Sequence, residues 1–394
     1  MISELKKTEI QKFIQDHLYD DPASLMLSAG KYPHIPMKEV VEQIQSKRKA
    51  KHKLPEYFAT EGIIYPPPLS MEQCSSQVTA AYKASLVKGD AMIDLTGGMG
   101  IDTYYLSQSF QEIHYIERQQ NLVELAEYNF HCLGAHNIRS HHFQAEDFLN
   151  ELKDMVDLIY LDPARRGTHN SKVVRFEDCE PDVIQIQPLL QQSARSLLIK
   201  ASPMLDIKGA INDLGEVTAV HVVADRNEVK ELLFFIDENA SGNPGIHTIN
   251  FKSEGKWCFG FDYESELEAL PQFGTVSKFI YEPNAAILKA GGFKSVGEQF
   301  PGMVKLHANT HLYTSDQLIE DFPGRCFQVL DSLQMNKKHL RKKLPEMQAN
   351  ISVRNFPMSV QQIRKKTSLK EGGEDYIIAT QDVNGPVLLH CHRL

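Results

Sequence analysis

The amino-acid sequence predicts an α/β fold: a mostly parallel β-sheet covered by helices, with a helical region before it and a small α+β part after it. Apolar segments of strand length alternate with segments long enough for crossover helices, which is the pattern of parallel sheets. Helical periodicity marks the start of the chain, and aromatic-rich alternation begins after about residue 241. The 394 residues, 42% of them hydrophobic, supply apolar material for two or three domain cores.

Residues 1–75 are predicted to form the helical region. Apolar side chains recur there at helical spacing, at Ile10, Phe13, Ile14 and Leu18 and again at Val40, Val41 and Ile44. The proline-rich turn YPPPLS closes this region. Ser70 precedes Gln73 by three residues, so the sequence predicts that Ser70 is the N-cap of a helix that continues through Ala84.

Six strands are predicted in the region that follows, at residues 91–95, 112–116, 158–161, 196–200, 218–223 and 231–236. The first four are separated by segments long enough for crossover helices, so they are predicted to be parallel. The last two are separated by a short polar turn that contains Arg226 and Asn227. This turn predicts an antiparallel pair at one edge of the sheet.

The pattern changes from about residue 241. The turn SGNPG is followed by aromatic-rich alternating segments at residues 247–251 and 257–261, and then by an α+β mixture with a basic end. A domain boundary is therefore predicted near residue 275, with the α/β domain at residues 76–274.

A glycine-rich loop, DLTGGMG, follows the first predicted strand. Its candidate ligand-binding residues are Asp94, Thr96, Gly97, Gly98 and Gly100. Glycines let the backbone approach a ligand closely, and the helix that follows the loop adds unpaired N–H donors. A tight turn alone would also explain such a loop, so the argument depends on what the neighbouring strands carry.

Two of these strands end in acidic residues. Glu117, 23 residues after Asp94, ends the next strand and suits hydrogen bonds to ribose hydroxyls. Asp147, in QAEDF, follows the place of a third strand, where an adenine edge would lie. The choice is then between a dinucleotide and S-adenosylmethionine. No GxGxxG pattern is present, and an aspartate before the glycines suits a cationic amino-acid group better than a pyrophosphate. The loop therefore favours S-adenosylmethionine in a Rossmann-like domain.

The segment DPARR follows the strand predicted at residues 158–161. Class I methyltransferases that modify exocyclic amines carry an Asp/Asn-Pro-Pro-aromatic motif at this place. Asp162 and Pro163 match it, whereas Ala164 and Arg165 replace the second proline and the aromatic residue. Asp162 is the candidate to orient the acceptor or take its proton, and the alternative is that it only caps the loop. Arg165 and Arg166 are candidate phosphate contacts, or surface arginines with no specific role.

The DPAR sequence also resembles the bacterial RNA uracil-C5 methyltransferases, whose glycine loop has the form DLxxGxG. Those enzymes need a cysteine nucleophile in an SCNP motif at the end of the fifth strand. The corresponding place here reads KASP, from Lys200 to Pro203, with Ala201 at the cysteine position. This argues against uracil-C5 chemistry by that mechanism and leaves direct transfer to a nitrogen or an oxygen.

The whole chain resembles a bacterial family of class I S-adenosylmethionine-dependent methyltransferases with a THUMP-like C-terminal domain. The matching stretches span about residues 70–380 and read LSMEQCSS, DLTGGMG, IYLDPARR, CEPD, KASPMLD, YEPNAAILKAG, HLYTSDQ, DFPGR and VRNFP. The resemblance implies a ferredoxin-like segment at residues 275–320 and a THUMP-like domain, of a kind that binds RNA in other proteins, at residues 321–394. It also implies that Gln73 or Ser75 closes over the methionine group. For Gln73, helix capping is the alternative role.

A strongly basic segment lies near the C-terminus. Residues 325–370 have a net charge of +9, although the whole chain has a net charge of −9. This polarity favours docking on a polyanion such as RNA, for which Lys338, Lys342 and Lys343 are candidate contacts, and a solvated helix face is the alternative. A second basic run, KRKAKHK, either extends that surface or keeps the N-terminal helices soluble.

The six cysteines are scattered without a CxxC pair, which predicts reduced thiols in a cytoplasmic protein. The start of the chain lacks a secretory apolar core, and no apolar stretch in the sequence approaches the length of a membrane span, so a soluble intracellular protein is expected. The histidines in SHHF and HCH lack further ligands at metal spacing, so no metal is expected.

These features predict an S-adenosylmethionine-dependent methyltransferase that acts on structured RNA, tRNA or rRNA, at a base nitrogen. One alternative is a non-catalytic RNA-binding protein that keeps the methyltransferase-like domain as a scaffold. The replacement of the amine-binding motif at Ala164 and Arg165 favours that alternative. Another is a methyltransferase of proteins or small molecules.

Overall fold

The structure, a computed structural model, describes residues 2–165, 175–237, 240 and 242–394. The chain divides into two compact units. The first consists of Met1–Glu216 and Phe234–Asn239, and the second consists of Val217–Leu233 and Ala240–Leu394. The four-part division expected from the sequence stays a prediction.

The first unit begins with helices and continues as alternating strands and helices. Its helices are α1 (Ile2–Leu5), α2 (Thr8–Asp16), α3 (Pro22–Leu27), α4 (Met37–Lys53), α5 (Pro55–Ala59), α6 (Pro68–Gln73), α7 (Gln77–Leu86), α8 (Ile101–Leu106), α9 (Gln120–Cys132), α10 (Ala145–Glu151), α11 (Val183–Ser193) and α12 (Ile207–Leu214). Its strands are β1 (Gly89–Asp94), β2 (Phe110–Glu117), β3 (Ile138–His142), β4 (Val156–Leu161), β5 (Ala164–Arg165), β6 (Cys179–Glu180) and β7 (Ala194–Ala201).

The sheet of the first unit has the strand order β7-β4-β1-β2-β3, and each of these pairings is parallel. Asp94, at the end of β1, lies in register with Tyr115 of β2 and with Tyr160 of β4. The apolar side chains of β1 and β4 are buried, as expected for strands covered on both faces. The four strands predicted to be parallel are all present, which confirms the predicted fold class.

The N-terminal helices share one core. It is built from apolar side chains of α1 to α4 together with Ile64 and Leu125, and it includes Ile10, Ile14, Val40 and Ile44. The basic run KRKAKHK lies at the end of α4, and several of its cations bind within the unit. Arg48 donates to the carbonyl oxygens of Leu18 and Asp20. This end of α4 therefore uses part of its charge to hold neighbouring segments.

The predicted helix from Ser70 through Ala84 is wrong. Two helices, α6 and α7, stand in its place, and Ser70 lies inside α6. The chain leaves the helical conformation at Cys74 (φ −67°, ψ 163°). Ser76 then caps α7, because its hydroxyl accepts from the Thr79 N–H while the Thr79 hydroxyl accepts from the Ser76 N–H. The stronger capping box thus begins six residues later than predicted.

The second unit starts with strands and ends as a mixed α+β structure. Its strands are β8 (Ala219–Asp225), β9 (Glu228–Ile236, whose last residues belong to the first unit), β10 (Gly245–Phe251), β11 (Lys256–Phe261), β12 (Phe279–Pro283), β13 (Val304–His307), β14 (Thr310–Ser315), β15 (Gly324–Ser332), β16 (Asn350–Val353), β17 (Asp375–Asp382) and β18 (Gly385–Arg393). Its helices are α13 (Tyr263–Glu268), α14 (Ala285–Ala290), α15 (Ser295–Gln299), α16 (Lys337–Lys343) and α17 (Val360–Thr367).

The predicted strand pair at residues 218–236 is present as β8 and β9, which are neighbours in their sheet. Arg226 and Asn227 between them have φ values of 49° and 65°, the left-handed geometry of a tight hairpin turn. The pair is not at the edge that the sequence predicts, because β10 pairs in parallel with β8 and β11 pairs with β10. The aromatic-rich segments extend this sheet as β10 and β11.

The remaining strands of the second unit form a sheet of order β13-β14-β12-β15-β18-β17-β16. Helices α16 and α17 pack on one face of this sheet, where Leu340 and Ile363 meet Ile377. Glu282 of β12 is 4% exposed and accepts hydrogen bonds from Arg325 Nε (2.8 Å) and Arg354 Nε (2.6 Å).

In the described ranges, no helix combines the length and the apolar character that a bilayer crossing needs.

Candidate functional site

A cavity of about 370 Å³ lies at the carboxyl edge of the sheet in the first unit. Its walls come from the residues that follow β1, β2 and β4, from the start of α10, and from Gln73 at the end of α6. Parallel strands all end at one edge of a sheet, so their terminal residues meet there. The cavity is within the size range of small-molecule sites, about 300–1,000 Å³.

The glycine loop between β1 and α8 needs its glycines for distinct reasons. A Cβ atom on Gly97 would lie 2.1 Å from the nearest ring carbon of Tyr115, so only glycine fits against that strand. Gly98 and Gly100 have φ values of 55° and 74°, in the left-handed region that favours glycine. A Cβ on Gly100 would also collide with the ring of Phe130. The loop therefore brings bare backbone to the cavity at Gly98.

Asp94 supports the glycine loop from its buried side. It is 1% exposed, and its carboxylate accepts hydrogen bonds from the Thr96 N–H (3.0 Å) and the Thr103 hydroxyl (2.6 Å). Burial raises the pKa of Asp94 to about 7, against the lowering effect of these two hydrogen bonds. The observed contacts hold the loop to the start of α8. The predicted contact with a cationic amino-acid group stays a prediction.

Glu117 lies at the end of β2 and lines the cavity. Its carboxylate accepts hydrogen bonds from the Gly98 N–H (3.0 Å) and the Gln119 N–H (2.8 Å). The same side chain thus fixes the glycine loop and the chain after β2. A carboxylate can accept about four hydrogen bonds, so the ribose contact predicted for Glu117 is compatible with both of these.

The two adjacent acidic residues in QAEDF line different hollows. Glu146, in the first turn of α10, lines the cavity. Asp147 lines a neighbouring hollow together with Arg118 and His142. The structure therefore brings Glu146, and not the predicted Asp147, to the cavity that holds Glu117. The sequence could not separate the two, since adjacent helical residues point in different directions.

The loop after β4 is tied to the loop after β1. The Asp162 N–H donates to the hydroxyl oxygen of Thr96 at 2.6 Å. The Asp162 side chain lines the cavity, and its Oδ2 accepts a hydrogen bond from Nζ of Lys200 at 2.5 Å. Lys200, at the end of β7, is 12% exposed at its side chain. Asp162 is thus held at the cavity by its backbone and by its carboxylate.

A network of buried polar groups lies next to this pair. Lys83 of α7 is fully buried, and its Nζ lies 3.2 Å from Oδ1 of Asp102 in α8. Oδ2 of Asp102 accepts from the hydroxyls of Ser75 (2.8 Å) and Tyr160 (2.7 Å) and lies 3.9 Å from Nζ of Lys200. Ser75, one of the candidates for the methionine group, therefore belongs to this network.

The sequence reasoning missed Lys83, Asp102, Tyr160 and Lys200. Lys200 had a visible signal, because it begins the KASP segment that was inspected for a cysteine nucleophile. Lys83 also had one, since it lies on α7 among small and apolar residues, of which Thr79, Ala80, Tyr82 and Ala84 are buried in the structure. A lysine inside such a face requires a buried partner. The partner itself, Asp102, is identified only by the packing of α7 on α8.

The rest of the DPARR segment contributes less to the cavity. Ala164 lines it, and the short strand that it forms with Arg165 pairs with Cys179 and Glu180. Glu180 forms an ion pair with Arg118 at 2.5 Å. The predicted phosphate contact Arg166 lies outside the described residues. The predicted substrate-binding roles of Pro163 and Arg165 stay predictions.

The candidate RNA-binding lysines are in the second unit, on α16. Lys338, Lys342 and Lys343 are exposed, whereas Leu340 of the same helix is buried in the core below. Lys343 forms an ion pair with Asp331. The lysines thus lie on the outer face of the helix, where a polyanion could reach them.

Fold and site define the class of this protein. The first unit has the Rossmann-like fold of class I methyltransferases, and two further domains follow it. Residues 279–323 match the family model of a ferredoxin-like domain, and residues 324–393 match that of a THUMP-like domain.

The chain is similar over almost its whole length to a protein of known structure from Porphyromonas gingivalis W83, named a "putative methyltransferase". The identity is 34%, the TM-score is 0.86, and the match covers 98% of this chain and 97% of the other. The chain belongs to the family of that protein.

Two more distant solved structures are similar to a part of the chain. An rRNA methylase from Streptococcus thermophilus has 12% identity and a TM-score of 0.30, covering 41% of this chain and 93% of its own. A SAM-dependent methyltransferase from Agrobacterium tumefaciens has 16% identity and a TM-score of 0.31, covering 41% of this chain and 60% of its own. No curated protein matches the chain.

Proposed function

We propose that this protein is an S-adenosylmethionine-dependent methyltransferase that acts on structured RNA, tRNA or rRNA, at a base nitrogen. The charge of the cavity lining is the observation that carries the cofactor assignment. Among the described residues that line it, Glu180 pairs with Arg118 and Asp162 pairs with Lys200, so the carboxylates of Glu117 and Glu146 give the cavity its negative charge. A cavity of this charge suits a cationic ligand and disfavours the pyrophosphate of a dinucleotide.

The shape of the site fits the same cofactor. Gly98 presents backbone without a side chain, and Glu117 stands at the end of the strand next to the glycine loop, where a ribose hydroxyl would bind. Gln73 at the end of α6 and Thr96, which accepts from the Asp162 N–H, also line the cavity. The assigned cofactor residues are therefore Gln73, Thr96, Gly98 and Glu117, with Asp94, Gly97 and Gly100 shaping the loop.

S-adenosylmethionine supplies an electrophilic methyl group, so the protein must align a nucleophile and remove its proton. We assign both tasks to Asp162. Its Oδ2 is engaged by Lys200, which leaves Oδ1 to accept the N–H of the acceptor. Asp162 takes that proton as the nitrogen–carbon bond forms, the sulfur–carbon bond breaks and the bonding electron pair stays on sulfur.

The RNA assignment is supported by the second unit. Helices α16 and α17 pack on one core, so they cover the same face of the sheet. Their exposed basic side chains are Lys337, Lys338, Arg341, Lys342, Lys343, Lys365 and Lys366. A basic face of this kind gains affinity for phosphates by the release of counterions. A solvated helix face without a ligand would carry the same residues, and RNA binding measured at increasing salt separates the two.

The division of the chain is part of the proposal. Residues 1–75 would support the cavity wall, residues 76–274 would transfer the methyl group, and residues 275–320 and 321–394 would bind the substrate. The cytoplasm is the proposed compartment, because all six cysteines are free thiols.

Calorimetric titration with S-adenosylhomocysteine tests the cofactor assignment. Binding by the wild type, weakened in Glu117→Ala, is the expected result. Absence of binding by the wild type would remove the assignment, and equal binding by Glu117→Ala would remove the role of that residue.

The protein incubated with tritiated S-adenosylmethionine and either total RNA or protein extract tests the substrate. Label in RNA is expected. Label in protein alone would contradict the RNA assignment. Binding of RNA without any labelling would favour a non-catalytic RNA-binding protein.

A further inference from the structure

Buried charges continue from the cavity into the interior of the first unit. Asp162 contacts Lys200, Lys200 faces Asp102, and Asp102 faces Lys83. Exposure of the side chains decreases along this series, from 41% at Asp162 to 12% at Lys200, 11% at Asp102 and 0% at Lys83. Positive and negative charges alternate, so each one is neutralised by its neighbours.

Stability alone does not require such a series. Placing an ammonium group in the interior is costly, and apolar residues of similar size often stabilise a fold as well as a buried ion pair does. Lys83 is nevertheless fully buried, between residues of α7 and the start of α8. The positive charge of Lys83 lies next to Oδ1 of Asp102 and offsets the carboxylate charge. Oδ2 of Asp102 accepts hydrogen bonds from the hydroxyls of Ser75 and Tyr160.

Asp102 is ionised in this setting. Burial raises the pKa of its carboxyl, but the charges of Lys83 and Lys200 and the two hydroxyl donors outweigh burial, so that the pKa lies below its usual value. An ionised carboxylate 3.9 Å from Nζ of Lys200 attracts that ammonium group and restricts its position. Lys200 therefore meets Asp162 from a fixed direction.

We propose that Lys200 is a positioning residue for methyl transfer, held by Asp102 and Lys83 so that it fixes the carboxylate of Asp162 towards the acceptor. This inference rests on the proposed function of Asp162. Lys200 acts through Asp162, because its hydrogen bond selects which carboxylate oxygen remains for the acceptor. Asp102 and Lys83 act one step further away, through Lys200.

The test compares Lys200→Met with Lys200→Arg and with the control Lys153→Met. Lys153 is an exposed lysine of the same unit. Lys200→Met should lower kcat by about 100-fold and leave the affinity for S-adenosylhomocysteine within about 3-fold of the wild type, because orientation is lost and the cofactor cavity is kept. Lys200→Arg should restore at least part of kcat, and Lys153→Met should match the wild type.

A double-mutant cycle shows whether Lys200 acts through Asp162. In an Asp162→Asn background, Lys200→Met should cause no further loss of kcat. Additive losses would overturn the positioning role, and so would a kcat of Lys200→Met equal to that of Lys153→Met.

The buried pair of Lys83 and Asp102, here called the inner pair, is tested with Asp102→Asn. This change leaves the buried Lys83 without its carboxylate, and adding Lys83→Met removes that uncompensated charge. The double variant Lys83→Met/Asp102→Asn should fold and still show a lowered kcat with unchanged S-adenosylhomocysteine affinity. If it turns over like the wild type, the inner pair has no part in positioning.

Crystal structures keep the inference separate from the proposed function. If the wild type transfers no methyl group or binds no S-adenosylhomocysteine, the proposed function fails whatever these variants do. The positioning claim is then decided by structure. The Asp162 carboxylate should change its direction in Lys200→Met and keep it in Lys200→Arg, whereas an unchanged direction in Lys200→Met overturns the claim.

Discussion

The backbone N–H of Asp162 donates a hydrogen bond of 2.6 Å to the hydroxyl oxygen of Thr96. The two residues are 66 positions apart, and they stand in the loops after β4 and β1. This contact joins the loop assigned to the cofactor to the loop assigned to the acceptor. Under the proposed function, this side-chain oxygen helps to set the relative position of the two reactants.

Thr96→Val should therefore separate these two loops. Valine keeps the shape of threonine but leaves the Asp162 N–H without an acceptor, which costs about 1 kcal/mol of folding stability. Methyl transfer should fall by about tenfold, because alignment is lost. Thr96→Ser, which keeps the hydroxyl, is the control. Equal rates for the valine and serine variants would show that the contact has no part in alignment.

Glu117→Gln should weaken cofactor binding. The change removes the negative charge and replaces one acceptor oxygen by an NH₂ group, which cannot accept from the Gly98 or Gln119 N–H. Calorimetry should show about a tenfold loss of affinity for S-adenosylhomocysteine, or about 1.4 kcal/mol. Glu127→Gln, an exposed change on α9, should bind like the wild type.

Gly97→Ala should destabilise the first unit strongly. The added Cβ would overlap the Tyr115 ring, which is itself buried in the sheet, so the cost should reach about 3 kcal/mol or prevent folding. Gly30→Ala is the matched control, since a Cβ there meets no atom within 4 Å. The Tm values of the two variants are compared by thermal unfolding. A Tm for Gly97→Ala equal to that of Gly30→Ala would contradict the close contact.

Asp94 makes stability depend on pH. Burial raises its pKa from 3.8 to about 7 in the folded protein, so folding favours the protonated form. Its contribution to stability is therefore fully present below about pH 4 and is lost as the pH rises to about 7. The free energy of unfolding of the wild type, minus that of Asp94→Asn, should decrease over this interval in urea titrations. A constant difference would show that Asp94 does not titrate there.

Lys338→Glu/Lys342→Glu should weaken RNA binding and reduce its dependence on salt. Each phosphate contact that is lost should lower the slope of log K against log salt by about 0.7 to 1. Lys343→Glu should have a smaller effect, because Asp331 already pairs with Lys343. Lys88→Glu/Lys153→Glu in the first unit, two exposed positions, is the control with the same change of net charge. A flat salt response of the wild type would contradict docking by this face.

The sequence predicted the parallel strands and the glycine loop because both depend on local patterns. Apolar runs of strand length mark β1, β2, β4 and β7, and a short loop that must approach another strand needs its glycines. These signals lie within a few residues of the features that they predict.

Contacts between distant segments could not be predicted in this way. The pairing of Lys83 with Asp102, and of Lys200 with Asp162, depends on how α7 and α8 pack and on which strands are neighbours. The error at Ser70 has a similar origin. Ser70 and Gln73 have the spacing of a capping box, but the capping box in the structure is formed by Ser76 and Thr79. Ser75, just before it, donates a hydrogen bond to Asp102, a contact that the local sequence does not reveal.

Lysines of α4 connect the N-terminal helices to the wall of the cavity. Lys49 forms an ion pair with Glu72 of α6, and Lys53 donates to the Glu72 carbonyl oxygen at 2.6 Å. Gln73, the next residue, stands in the cavity wall. One side of the proposed cofactor site is therefore supported by the N-terminal helices, and a shortened chain that starts at the first strand would lose that wall even if its sheet stayed intact.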